Sequence, residues 1–220
     1  MVDTGSMGRD PEERRVGSLL RDRYRITGVI GAGGMATVYL AVHRNGNRVA
    51  LKMLHPELSR QAAHRERFVR EGYVANSLEH PGAVRVLDDD VADDGCPFLV
   101  MELLLGETLA GRLRRCGRLA PREVLAVGHA LCDVLARAHA CGVVHRDIKP
   151  DNLHLGDDGV LRVLDLGVAL SGREPEATRR LHAGTPSYMN PEQWPGYEKN
   201  GDPAGQLPDA GSDLFALGVT

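Results

Sequence analysis

The sequence predicts an α+β chain in two parts, on three observations. Between Tyr24 and Leu103, five strand-like runs surround one helical stretch. From Glu107 onward the pattern turns mostly helical. Clusters of Gly, Asn and Asp punctuate the runs where turns are needed. With 42% apolar residues in 220, the chain can build real cores, and a charged fraction of 26% is ordinary for a globular protein.

The elements follow in order. Residues 1–20 are polar and charged and read as a lead-in without order. "YRITGVIG", "ATVYLAVH" and "NRVALKML" are strands, with a turn at "NGN" between the last two. Residues 60–79 read as a helix with Phe68, Ala75 and Leu78 along one side. "AVRVLD" and "CPFLVMEL" complete the five strands. "ETLAGRLRRCG" reads as a short helix. "PREVLAVGHALCDVLARAHACG" reads as a long one, with Pro121 near its start and Gly142 past its end. Its expected core stripe is Val124, Val127, Leu131, Val134, Leu135 and Ala138. "NLHL" and "VLRVLDLG" form a hairpin across Asp157-Asp158-Gly159. Residues 171–183 lack periodicity, residues 195–211 read as a Pro/Gly-rich loop, and "SDLFALGVT" starts an apolar helix. That last helix has barely completed two turns at Thr220, so the chain reads as cut within its second part.

Global properties exclude some classes. The formal net charge of −3 gives no general attraction to nucleic acid or anionic membrane. The four cysteines lack CxxC spacing and read as reduced thiols. The polar start is unlike a signal peptide. "FLVMELLL", the longest apolar run, falls far short of the roughly 20 residues that span a bilayer. A cytoplasmic protein without a membrane segment is expected.

Four stretches carry chemistry. "GAGGMATV" places Gly31, Gly33 and Gly34 between two strands, where backbone amides could approach a polyanion. Alone it fits a ligand-free hairpin equally well. Lys52 sits in the apolar strand "VALKML" and needs a partner if it is not on an edge; Glu71 on the following helix is a candidate, and a surface Glu is the plain alternative. In "HRDIKPDNL", Asp147 could accept a proton from a hydroxyl nucleophile, Lys149 could neutralise a phosphoryl group, and Asn152 could ligate Mg²⁺. Asp165, in "VLDLG", adds a hard carboxylate. Each residue singly fits a solvated or capping role; their joint order does not.

Residues 24–220 resemble the serine/threonine protein kinases, in particular the eukaryotic-like kinases of bacteria. The resemblance rests on Gly31, Gly33 and Val38 of a Gly-rich loop, Lys52 of "VALK" and Glu71. It rests further on His145, Arg146, Asp147, Lys149 and Asn152, on Asp165 and Gly167, and on "GTPSYMNPE" and "SDLFALG". It implies a bilobal fold, with a small antiparallel β N-lobe over 21–102, a helical and incomplete C-lobe over 103–220, and ATP between them. ATP contacts are implied for Ile30, Gly31, Gly33, Gly34, Val38, Ala50, Lys52, Met101, Glu102, Leu104, Asn152 and Asp165. Among these, Lys52 would hold phosphates, oriented by Glu71, and "MEL" at 101–103 would be the hinge. Asp147 would be the base, and Asn152 and Asp165 would hold Mg²⁺. Lys149 with Thr185 points to the serine/threonine branch, so a protein substrate with a Ser or Thr acceptor is implied, and dimerisation for phosphorylation in trans is compatible. Asp213 is expected buried, accepting amides around His145 and Arg146, and Thr178 is the expected regulatory phosphosite.

The pattern also departs from the family. Ala36 replaces a loop glycine, Leu166 an aromatic residue, and Asn190 an alanine. Gly72 follows Glu71 inside the helix, which costs about 1 kcal/mol against Ala and is expected to favour breaking the Lys52–Glu71 pair. Alternative readings are a non-catalytic kinase-like binding module and a small-molecule phosphotransferase of the same fold. Intact Lys52, Asp147, Asn152 and Asp165 argue against the first, and "GTPSYMNPE" against the second.

Overall fold

The structure is a computed structural model and describes residues 13–165, 170–171, 185–191 and 209–220. Two compact units emerge. One holds the described residues up to Gly72 together with Arg85–Leu104; the other holds Tyr73–Val84 and the described residues from Leu105 on.

The first unit is an antiparallel six-stranded sheet with short helices. Its strands are β1 (Leu19–Leu20), β2 (Tyr24–Ala32), β3 (Ala36–His43), β4 (Arg48–Leu54), β5 (Val86–Val91) and β6 (Pro97–Glu102), in the order β1-β2-β3-β4-β6-β5. Helices α1 (Pro56–Ser59) and α2 (Ala62–Ser77) lie between β4 and β5 in sequence. Period-2 alternation in β4 sends Val49, Leu51 and Met53 into a core with Tyr39, Ala41, Phe98 and Val100. Leu54 on the opposite face packs with Ala36, Leu99 and Phe68 of α2.

Three expectations change here. The lead-in does not extend to residue 20: a 3-10 turn forms at Glu13–Arg15, and Leu20 of β1 is buried in the first core. The strand expected over 83–88 instead spans Val86–Val91. Its first residues are diverted, since Val163 N–H donates to Gly82 O and Ala83 bridges Val163, all in the second unit. Finally, the weak sequence signal at Gly72 has a packing cause: a Cβ there would lie 3.1 Å from Leu99 Cδ2 and 3.3 Å from Val86 Cγ1.

The second unit contains β7 (Gly106–Thr108), α3 (Leu109–Cys116), α4 (Pro121–Ala140), β8 (Val143–Val144), β9 (Leu153–Gly156), β10 (Leu161–Val163), β11 (Leu170–Ser171) and α5 (Ala210–Val219). The expected hairpin is β9–β10, and β7, not foreseen, adds to it as a third strand. Leu131, Val134 and Leu135 of α4 join Leu109, Ile148, Leu153, Leu161, Val163 and Ala216 in a second core. The expected stripe is too long by one turn: Val124 is 54% exposed. Gly82 is needed where "HPG" meets α4, because a Cβ would fall 2.2 Å from Val134 Cγ2. Around it, His80 Nε2 bonds Asp133 at 3.1 Å and Arg137 Nε donates to Leu78 O at 2.7 Å, clamping the segment to α4. Leu214 and Phe215 are exposed, whereas Leu217 packs against the second core.

Candidate active site

In the first unit, β3 and β4 pair so that Val38 faces Lys52, and β6 brings Leu99 to the other side of Lys52. Lys52 therefore lies on an interior strand. Its side chain is 12% exposed and donates from Nζ to Glu71 Oε1 at 2.5 Å, with Glu71 itself 11% exposed. A half-sequestered ammonium is costly without a partner, and α2 supplies one. The pair that Gly72 was expected to weaken is formed. Register also sets Ala50 opposite Met101. By period-2 alternation Val38, Ala50, Lys52 and Met101 share one face of the sheet.

The turn between β2 and β3 carries Gly33 and Gly34, both exposed, and Gly33 N–H donates to Ala36 O at 3.0 Å. Neither glycine is demanded by the chain: a Cβ on Gly34 would meet nothing within 4 Å, and one on Gly33 only Ala36 O at 3.6 Å. The open backbone fits the close approach of a polyphosphate. Ile30, just before it, is 51% exposed, and Gly31 is paired with Val38. At the end of β6, Glu102 N–H is taken by Arg85 O at 3.1 Å and its carboxylate accepts from Arg85 N at 2.7 Å. Of its two backbone groups, the carbonyl is the one Glu102 could offer adenine. Leu104 closes this unit.

In the second unit the loop after β8 is organised by one carboxylate. Asp213, in the first turn of α5, is 0% exposed. Its Oδ1 accepts from Arg146 N at 2.8 Å, and its Oδ2 from His145 N at 2.9 Å and His139 Nε2 at 2.8 Å. A buried carboxylate must be saturated in this way to be tolerated. The two amide bonds hold Arg146 in a left-handed backbone (φ 72°), a conformation that costs a non-glycine residue about 1–3 kcal/mol. His145 extends the frame: Nε2–H donates to Leu164 O at 2.9 Å, and Nδ1 accepts from Asp147 N at 3.2 Å.

Asp147 leaves this frame with both carboxylate oxygens engaged. Oδ2 accepts from Lys149 Nζ at 2.8 Å and from Asn152 Nδ2 at 3.0 Å, while Thr185 Oγ1–H donates to Oδ1 at 2.7 Å. Lys149 Nζ also donates to Thr185 Oγ1 at 2.7 Å, so the acid, the cation and the hydroxyl form a closed ring. Such a carboxylate can take a proton from an aligned hydroxyl, with a cation beside it to meet developing negative charge.

Asn152 spends its amide nitrogen on Asp147, on the backbone O at 2.8 Å as well as Oδ2. Among the described residues nothing occupies its Oδ1, which fits the oxygen donor that Mg²⁺ requires. Leu164 N–H donates to Asn152 O at 2.8 Å, and this bond sets Asp165 beside the same loop, exposed and with φ 58°. Lys52 and Glu71 thus meet in the first unit, and Asp147, Lys149, Asn152 and Asp165 in the second.

Gly167, Leu166, Thr178 with Arg179 and Arg180, Glu192 and most of the 195–211 loop lie outside the described residues. His139 was not anticipated. Its position in the last turn of α4 reads as a charge matched to a helix C-terminus, and nothing local in sequence points to Asp213, 74 residues away.

Residues 24–220 match the protein kinase domain family. The serine/threonine-protein kinase PknA of Mycobacterium tuberculosis is 38% identical over 211 residues, which cover 93% of this chain and 47% of that protein. The serine/threonine-protein kinase Pkn1 of Myxococcus xanthus is 37% identical over 203 residues, covering 89% of this chain and 28% of that protein. The chain spans less than half the length of these curated relatives. With a matched span that takes in the Lys52–Glu71 pair, the Asp147 ring and Asp213, the chain belongs to the protein kinase domain family.

Proposed function

We propose that this chain transfers a phosphoryl group from ATP to Ser or Thr hydroxyls of a protein substrate. The observation that carries the reading is the Asp147 ring. A threonine hydroxyl already donates to Oδ1, while Lys149 and Asn152 hold Oδ2. In this reading the first unit is the N-lobe and the second the C-lobe.

Ile30, the glycine turn, Val38, Ala50, Met101, the Glu102 carbonyl and Leu104 bind the nucleotide, and Lys52, aimed by Glu71, neutralises its phosphates. Asn152 through Oδ1 and Asp165 through its carboxylate would hold Mg²⁺, which would supply positive charge to neutralise the phosphates. Asp147 orients the acceptor hydroxyl and takes its proton. Lys149 stabilises charge on the transferring group and, with Thr185, fixes the Asp147 rotamer. Asp213 keeps the loop amides in place, so that Asp147 is not displaced.

No helix among the described residues is long and apolar enough to cross a membrane. We assign the catalytic region to the cytoplasm, where ATP is abundant, and leave a homodimer as the arrangement for phosphorylation in trans. The test is transfer of labelled phosphate to a generic protein substrate by the wild type and by Asp147→Asn. The change keeps the side chain's size but removes the base and one of the ring's two acceptor oxygens, so a loss of at least about 100-fold is expected. Equal rates would overturn the assignment.

A further inference from the structure

The surface of α3 carries charge that the fold does not use. Thr108 caps this helix by accepting from Gly111 N at 3.1 Å, and Leu109 and Ala110 are buried. Leu113 packs on the second core, which turns Arg114 and Arg115 to solvent, with side chains 73% and 61% exposed. Arg118 and Arg122, exposed, follow the helix.

The acids nearby do not match this charge. Arg112 and Arg115 both clasp Glu107, at 2.9 and 2.5 Å, which holds its carboxyl below the usual range. Arg112 also approaches Glu123 at 3.8 Å. Arg114 reaches only Asp151, at 4.0 Å. Arg118 and Arg122 have no hydrogen-bond or ion-pair partner among the described residues. Five arginines against Glu107, Glu123 and Asp151 leave an excess of two positive charges, in a chain of net charge −3.

The position matters more than the count. Asp151 stands in the 3-10 turn Pro150–Asn152, next to the asparagine that holds Asp147. Arg114 therefore adjoins the loop that activates a hydroxyl, and Arg118 and Arg122 continue the positive charge through the turn from α3 into α4. We propose that the acceptor segment of the substrate carries Asp or Glu residues near its Ser or Thr, and that Arg114, Arg118 and Arg122 bind them. This specificity rests on the kinase reading above. The patch is too small and the chain too acidic for the phosphate-tracking field of a nucleic-acid surface.

The test compares three peptides with one threonine each, flanked by glutamates, alanines or arginines, on the full 220-residue chain. Transfer from labelled ATP is measured alongside binding of fluorescein-labelled peptide without ATP, at low and high salt. The glutamate peptide should exceed the alanine peptide by about 10-fold, the product of two or three exposed pairs, with the gap closing at high salt. Simultaneous Arg114→Glu, Arg118→Glu and Arg122→Glu should reverse the ratio. A ratio within one preparation cancels any loss of folded protein. Equal use of glutamate and alanine peptides, an unchanged ratio in the triple variant, or displacement of the glutamate peptide by a lower concentration of single-stranded oligonucleotide would each overturn the proposal. Absence of transfer to every peptide counts against the kinase reading alone, because the binding ratio still decides this one.

Discussion

Gly72→Ala places two known effects in opposition, and the structure decides between them. Alanine in a helix interior is better than glycine by about 1 kcal/mol, so propensity alone predicts a more stable protein. The new Cβ, however, would sit 3.1 Å from Leu99 Cδ2 and 3.3 Å from Val86 Cγ1. Leu99 is 2% exposed and packed among Ala36, Leu54 and Phe68, so it cannot turn aside freely. Overpacking of a filled core costs about 1–3 kcal/mol, so the net expectation is a loss of about 0–2 kcal/mol. If α2 relieves the contact by moving out a few tenths of an ångström, Glu71 moves with it and the 2.5 Å pair with Lys52 lengthens. Denaturant unfolding reads the first effect, and titration with a fluorescent ATP analogue the second. Leu99→Val in the same chain removes a methylene at the contact and should recover part of both losses, with a coupling of roughly 0.5–3 kcal/mol in the double-mutant cycle. A Gly72→Ala protein stabilised by about 1 kcal/mol, with unchanged nucleotide affinity, refutes the packing argument.

Asp165→Asn should weaken Mg²⁺-ATP binding and leave metal-free nucleotide binding nearly unchanged; calorimetry with and without Mg²⁺ reads the difference, and equal losses refute the role. His139→Ala removes one of three donors to Asp213 and should speed hydrogen exchange at the His145 and Arg146 amides while lowering kcat more than KM for ATP, with His139→Gln recovering part of each. Burial, then the nearby Arg162, push the His154 imidazole below its usual pKa of 6.5. The unfolded chain then binds the proton more readily, so this stability is full above about pH 6.5 and is lost as pH falls from there through the folded value. The change in urea midpoint between pH 7.5 and 5.5 should be smaller in His154→Gln than in the wild type; equal changes refute it.

How much of this was legible in sequence depends on how far apart the cooperating residues lie. The strands β2, β3, β4 and β6, the helices α2 to α4 and the β9–β10 hairpin came from local periodicity and turn residues, because those signals act within a few residues. The Asp147 loop was legible because its acid, cation and amide fall within six residues. Lys52 and Glu71 needed the family resemblance, since 19 residues separate them and a surface Glu looks the same. What stayed hidden was set by tertiary closure. Gly72 read as a weak helix position until its neighbours across the sheet were known.

The acidic run of β5 shows the same limit most clearly. "DDDVADD" carries no local sign of its partners, and Arg15, Arg21 and Arg23 lie far from it in sequence. In the folded unit they meet. Arg23 bonds Asp88 at 3.3 Å and Asp90 at 2.6 Å, Arg21 reaches Asp90 and Asp93 at 3.4 and 3.3 Å, and Arg15 pairs with Asp94. Arg21 and Asp22 take left-handed backbones, φ 50° and 53°, in the turn from β1 to β2 that presents these side chains. Since β1 and β5 are the two edges of the sheet, the pairs tie edge to edge. Paired, charged edges are also poor templates for another chain's strand. Each exposed pair contributes little, and salt weakens it. Their value lies in number and position. A charge pattern that looks like a surface in one dimension becomes a closure only when the sheet brings its edges together.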